Sequence, residues 1–301
     1  MKAVVYERYG TADVLNLTEI EKPVPKKDEV LIKVMATSVS AADWRMRKAD
    51  PFLVRIFNGL FKPGKIKVLG YELAGIIEAT GGDVSLFKKG DSVFAYCMLK
   101  FGGYAEYTCL KETDIIAHMP DNMSFEEAAT TPLGALTALS LLKRAKVTSG
   151  QKILIYGASG SVGTYAIQLA RYFGSEVTSV CSTRNIELVK SLGSEYAIDY
   201  TQTEIGSLNA TFDVVFDAVG KMSKSTARKL LSPNGKFITV KSQTKPGKSE
   251  LQFVKELVES EKLISVIDKT YKLKDIRAAH QYVEQFRKSG NVAVLVPDGL
   301  T

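Results

Sequence analysis

Residues 151–171, QKILIYGASGSVGTYAIQLAR, constrain the fold more than any other stretch of the chain. The apolar run Ile153, Leu154, Ile155 and Tyr156 has the length of a buried parallel strand, and it passes through a glycine-rich turn into a helical pattern. Gly157, Gly160 and Gly163 let the backbone turn sharply and approach a pyrophosphate closely. The N–H groups and the positive dipole end of the new helix then face the anion. The spacing is GxxGxxG rather than the commoner GxGxxG, so the surroundings must support the reading.

They do. Residues 176–181, 195–199, 212–218 and 235–240 have strand character, with helical stretches at 185–192 and 222–231 between them. Strands alternating with helices predict right-handed crossovers and a parallel doubly wound sheet, with the ligand crevice at the carboxyl ends of its strands. A fold of this kind that prefers NAD places an acid at the end of the second strand, to bond the ribose 2′-hydroxyl. Here that place holds Ser182, Thr183 and Arg184, two hydroxyls and a guanidinium suited to phosphate oxygens. The expected cofactor is NADP(H).

The chain before the cradle is patterned differently. Residues 29–36 alternate with period 2, and short strands at 75–79 and 91–96 are separated by glycine-containing turns, as in a compact β-barrel. Ser124 and Glu127 have capping-box spacing, and Pro132 suits the first position of a new helix. Residues 249–259 and 273–289 read as helices, the second stopped by Gly290, and 291–296 as a strand returning to the barrel. The expected organisation is a barrel over 1–123, a nucleotide-binding domain over 124–264, and a return over 265–301.

Composition limits the partners. The chain has 301 residues and is 45% hydrophobic, enough for two cores. The charge of +7 is scattered, without a basic block or an RNA-type aromatic motif, so no nucleic-acid partner is expected. The N-terminus enters a strand pattern at once, which argues against a signal peptide, and the longest apolar runs are too short to span a bilayer, so no membrane partner is expected. Cys97, Cys109 and Cys181 lack CxxC spacing and point to a reducing, cytoplasmic location. Catalytic zinc needs about three protein ligands. His118 and His280 are the only histidines, one in a turn and one on a helix, so no metal is expected.

Gly70-Tyr71-Glu72-Leu73-Ala74-Gly75, Gly103-Tyr104-Ala105-Glu106-Tyr107, Leu136-Thr137-Ala138 and the cradle with Gln168 and Arg171 behind it together resemble the medium-chain dehydrogenase/reductase superfamily. Within it the chain looks like the zinc-independent, zeta-crystallin-like quinone oxidoreductase branch. Ser161 departs from the branch, which often has Gly there. The resemblance implies a GroES-like β-barrel joined to a Rossmann domain. It also implies NADPH-dependent hydride transfer to a quinone or an α,β-unsaturated carbonyl. In the zinc-dependent members a Cys stands at the position of Ser40 and a His at that of Tyr71, and both are replaced here.

By the same resemblance, Tyr71 is the expected donor to the oxygen that becomes negative, Ser40 is second, and Asp43 faces the site. The cofactor set is Ala158, Ser159, Gly160, Ser161, Val162 and Gly163 at the cradle; Ser182, Thr183 and Arg184; Thr137 near the nicotinamide ribose; Tyr200 near the adenosine phosphate; and Val219, Gly220 and Val240 at strand ends. Trp44, Arg45, Phe52 and Phe57 suggest an apolar acceptor pocket with a basic edge. Relatives continue past the fifth strand into another helix and a sixth strand, through which two subunits join their sheets. Here eight polar, turn-rich residues, 241–248, lead directly to the next helix. The expectation is therefore five strands in the order 3-2-1-4-5 and loss of the usual sheet-joined dimer. Two readings follow: an NADPH-dependent reductase, or an NADPH-binding protein with little or no turnover. A zinc alcohol dehydrogenase is a third, which stoichiometric zinc would revive.

Overall fold

The computed structural model describes residues 1–296; residues 297–301, the end of the expected return segment, lie outside the described residues. The chain divides into two compact units, Met1–Leu133 together with the segment from Ile267 onward, and Gly134–Val266.

The first unit begins with β1 (Lys2–Val5), β2 (Asn16–Glu19) and β3 (Glu29–Ser38), followed by α1 (Ala41–Lys48) and α2 (Leu53–Asn58). It continues through β4 (Glu72–Thr80), β5 (Ser92–Tyr96), β6 (Tyr107–Lys111), β7 (Ile115–His118) and α3 (Phe125–Ala129). Ser124 and Glu127 form the expected reciprocal capping box at the start of α3. Helix α3 packs on β3 and β4. This holds 124–133 in the first unit, so the division falls after Leu133 rather than at the expected 123/124.

Helix α4 (Pro132–Ala145) starts at the expected proline. Strand β8 (Lys152–Tyr156) leads into α5 (Ser161–Tyr172), then β9 (Glu176–Cys181), α6 (Ile186–Ser191) and β10 (Tyr196–Asp199). Strand β11 (Phe212–Asp217), α7 (Lys224–Leu230), β12 (Leu231–Thr239) and α8 (Lys248–Glu259) complete the second unit. Its sheet has the order β10-β9-β8-β11-β12, parallel throughout, which is the expected five-stranded 3-2-1-4-5 arrangement. The apolar strand β8 sits at its centre, with Ile153, Leu154 and Ile155 fully buried. Helix α5 is buried from Gly163 to Ala170. Behind the cradle, Gln168 pairs through its amide with both the N–H and the C=O of Ile264, and Arg171 donates to the Gly193 carbonyl. Both residues serve the fold.

The chain then adds β13 (Ile267–Lys272), α9 (Ile276–Glu284) and β14 (Asn291–Leu295) to the first unit. Strand β14 pairs antiparallel with β3, as a returning strand should. Strand β13, absent from the sequence reading, pairs parallel with β14 at the sheet edge. The helix expected over 273–289 is shorter, because Phe286 adopts a left-handed φ of 57° before Gly290 is reached.

Candidate active site

The cradle is built as the glycine pattern implies, but its three glycines do different work. A Cβ on Gly163 would lie 2.3 Å from the Gly157 carbonyl oxygen and 2.6 Å from that of Ala158, so the helix can pack against the turn only without one. A Cβ on Gly157, whose φ is +78°, would strike the Val219 side chain. A Cβ on Gly160 would meet nothing closer than the Gly157 oxygen at 3.5 Å. Packing therefore does not require Gly160 to be bare, whereas close approach of a ligand would. Gly160 is the N-cap of α5, and the first-turn N–H groups of a helix lack intrahelical acceptors. That arrangement fits a pyrophosphate.

Two of the predicted cofactor residues, Ser159 and Ser182, are linked beside it. The Asn185 amide donates to Ser159 Oγ at 2.9 Å and to Ser182 Oγ at 3.3 Å, joining the turn after β8 to the end of β9. Thr183 donates its hydroxyl to Asp199, whose carboxyl is held below its usual range by that bond. Arg184 is exposed and has no hydrogen bond or ion pair with the described residues. Tyr200 is exposed, and its N–H bonds the Cys181 carbonyl. Beyond β11, buried Asp217 accepts from the N–H groups of Val219 (3.0 Å), Gly220 (2.8 Å) and Met222 (3.0 Å) and from Thr239 Oγ1 (3.3 Å). The Val240 N–H bonds the Asp217 carbonyl. One carboxylate thus shapes the loop that carries Val219 and Gly220. Thr137 is half-buried on α4.

The catalytic candidates form a different kind of cluster. Ser40 donates its hydroxyl (2.6 Å) and its N–H (2.9 Å) to Asp43 Oδ2, while Gly70 N–H, next to Tyr71, donates to Oδ1 at 3.0 Å. Ser40 and Asp43 are the capping box of α1, and both are buried. Their polar groups are committed to the fold and to each other. Burial pushes the Asp43 carboxyl up to about 6, against the pull of these donors. Tyr71 is half-buried, packed edge-on against Tyr96 and Phe101, and its hydroxyl bonds that of Tyr96. If Tyr96 donates, Tyr71 keeps a proton to give. Trp44 is buried against Phe286 and Phe57 packs on the core, whereas Phe52 is exposed.

Glu72, next to Tyr71, serves the structure of the first unit. It is buried, accepts from Ser38 Oγ at 2.5 Å and from the Leu133 N–H at 2.6 Å, and burial raises its carboxyl to about 8. Half-buried Lys288 donates to the Gly290 carbonyl, and desolvation lowers its ammonium to about 8 while Asp268 and Glu72 oppose this. Glu72 binds more protons folded than unfolded between its ordinary value of 4.5 and about 8, so its contribution to stability falls as pH rises through that window. Asp43 acts in the same direction, but only up to about 6. Between pH 6 and 8 the protein is expected to lose stability with a slope of at most about 1.4 kcal/mol per pH unit. Urea titrations of Glu72→Gln should show that slope at least halved.

His280 is fully buried, shares a proton with Tyr104 Oη at 3.1 Å, and is held neutral by desolvation. His118 pairs with Asp91. Among the described residues no three His, Cys, Asp or Glu side chains are grouped to hold a metal.

The sequence pattern of the alcohol dehydrogenase GroES-like domain matches residues 26–121, and that of the zinc-binding dehydrogenases matches 161–288. The chain is 36% identical to the 2-methylene-furan-3-one reductase of Solanum lycopersicum, over 98% of this chain and 79% of that protein. It is also 36% identical, over the same shares, to the NADPH-dependent alkenal/one oxidoreductase, chloroplastic, of Arabidopsis thaliana. Among solved structures it resembles the quinone oxidoreductase from Coxiella burnetii, with a TM-score of 0.86, 27% identity and 99% of both chains covered. The cradle, the parallel five-stranded sheet and these similarities agree: the chain belongs to the medium-chain dehydrogenase/reductase superfamily, in its zinc-independent quinone oxidoreductase branch.

Proposed function

We propose that the protein is an NADPH-dependent, zinc-independent reductase of α,β-unsaturated carbonyls or quinones. The observation that carries the reading is the cradle, where Gly163 is filled to the atom by packing and Gly160 is left bare. The similarity to an alkenal/one oxidoreductase supports the acceptor class.

When bound, the reduced nicotinamide supplies a hydride from C4, and everything else is asked of the chain. The first-turn N–H groups of α5 and the residues Ala158 to Gly163 hold the pyrophosphate; Ser182, Thr183 and Arg184 hold the 2′-phosphate; Thr137, Tyr200, Val219, Gly220 and Val240 complete the cofactor contacts. Tyr71 donates a hydrogen bond to the acceptor oxygen as it gains negative charge, backed by Tyr96. Ser40 and Asp43 act as positioning residues through the Gly70 N–H beside Tyr71. The proton that completes the reduced acceptor comes from solvent. Acceptor-dependent NADPH oxidation by purified protein, unaffected by a zinc chelator, tests the reading.

Arg184 sets the preference for NADPH over NADH. Its replacement by alanine should weaken NADPH binding by about 1.5 to 3 kcal/mol, the worth of a hydrogen bond to a charged group, and leave NADH nearly unchanged. Titrations followed by nicotinamide fluorescence measure both, and equal losses would count against the assignment. The second reading, a binder with little turnover, is favoured by the commitment of Ser40 and Asp43 to each other. The sheet ends at β12, so loss of the usual sheet-joined dimer belongs to the proposal, as does a cytoplasmic location, which rests on the free thiols.

A further inference from the structure

The most exposed cluster of large apolar side chains lies around α2. Phe52 is 63% exposed, Leu53 67%, Ile56 69%, Leu60 51% and Phe61 86%. Five such residues within ten positions are far more than scattered surface hydrophobics explain, and an apolar patch of this kind marks an interaction surface. Around them stand seven basic residues, Arg45, Arg47, Lys48, Arg55, Lys62, Lys65 and Lys67, against a single acid, Asp50, between residues 44 and 71.

Their partners sort these cations. Arg47 is buried and ion-paired with Glu284, and the exposed Lys48 ammonium pairs with the same carboxylate. Arg55 lies over the Tyr9 ring and donates to the Leu60 carbonyl, which ties the loop after α2 to the helix. Arg45, Lys62, Lys65 and Lys67 are exposed, Arg45 beside the Trp44 ring and Lys65 beside that of Phe57. The segment therefore offers a firmly anchored apolar tip with a rim of solvated positive charge.

We infer that residues 52–67 seat the protein on an anionic lipid surface, with Phe52, Leu53, Ile56, Leu60 and Phe61 entering the interface and Lys62, Lys65 and Lys67 facing the headgroups. Apolar and aromatic side chains beside lysines are the composition of an interfacial anchor, and each cation near an anionic leaflet adds about fivefold to binding. A second copy of the chain fits this surface less well, because a two-fold contact would set the lysines of each copy against those of the other. The inference is independent of the reductase reading. It revises the expectation of no membrane partner, which rested on the lack of a spanning segment; indeed no helix among the described residues is long and apolar enough to span.

The test is co-sedimentation of the full chain with vesicles of phosphatidylcholine alone or mixed with phosphatidylglycerol. Binding is expected to the mixed vesicles, falling as salt is raised. Lys62→Glu with Lys65→Glu should lower it by about twentyfold or more, and Ile56→Glu with Phe61→Glu by more than about tenfold. The lysine pair is fully on the surface, so that variant keeps the test informative if the apolar pair misfolds. No binding to either vesicle, or a self-association in light scattering that the Ile56/Phe61 variant abolishes, would overturn the inference. So would unchanged vesicle binding in both variants.

Discussion

Gly163→Ala is expected to destabilise the protein by about 3 kcal/mol and to abolish measurable binding of both NADPH and NADH. Its new methyl group would have to occupy space 2.3 Å from one carbonyl oxygen and 2.6 Å from another, both in backbone that cannot move without opening the turn. Gly160→Ala should behave in the opposite way. Gly160 has a φ of −82°, which alanine adopts freely, and its methyl would meet only one oxygen at 3.5 Å, so stability should change by less than about 1 kcal/mol. NADPH binding should nevertheless weaken about tenfold or more, because the methyl would stand where the backbone must approach the phosphate. Thermal melts with and without NADPH separate the two. Equal destabilisation by both substitutions would mean that Gly160 serves packing and not the ligand.

The second large effect is expected at Asp217. Replacing it with alanine leaves the N–H groups of Val219, Gly220 and Met222 without their acceptor, at a cost of about 4 kcal/mol for the group. The loop bearing Val219 would no longer be held against Gly157, so NADPH affinity should fall with stability. Asp217→Asn keeps one carbonyl acceptor and should lie between. Urea denaturation of the three proteins measures this. A loss below about 1 kcal/mol for the alanine variant would show that the loop organises itself.

The sheet of the second unit was legible because its strands are short apolar runs separated by helical periodicity, and such runs have few alternatives to burial between helices. The edge strand β13 was not, since its sequence IDKTYK is half charged and it is held by pairing with β14 rather than by a buried face. Helices α1 and α2 escaped for a related reason: both are short, and α1 gathers its apolar and basic residues without a clean stripe. At the site, glycines announced the cradle because conformational demands are written into residue type. Asn185 and Asp217 were not singled out: Asn185 works by reaching Ser159 across the sequence, and Asp217 by accepting from the turn that follows its own strand. Ser40-Ala41-Ala42-Asp43 has the spacing of a helix capping box, and capping is what the pair does.

Deuteride transfer from NADPH labelled at C4 to a 2-alkenal tests the account most directly. A zinc-free hydride reductase should place one deuterium on the carbon β to the carbonyl, with the α-carbon proton drawn from solvent, and product and NADPH consumption should match one for one. Tight NADPH binding with no labelled product, and no NADPH consumed with a quinone either, would contradict the account and leave a protein that holds the cofactor without using it.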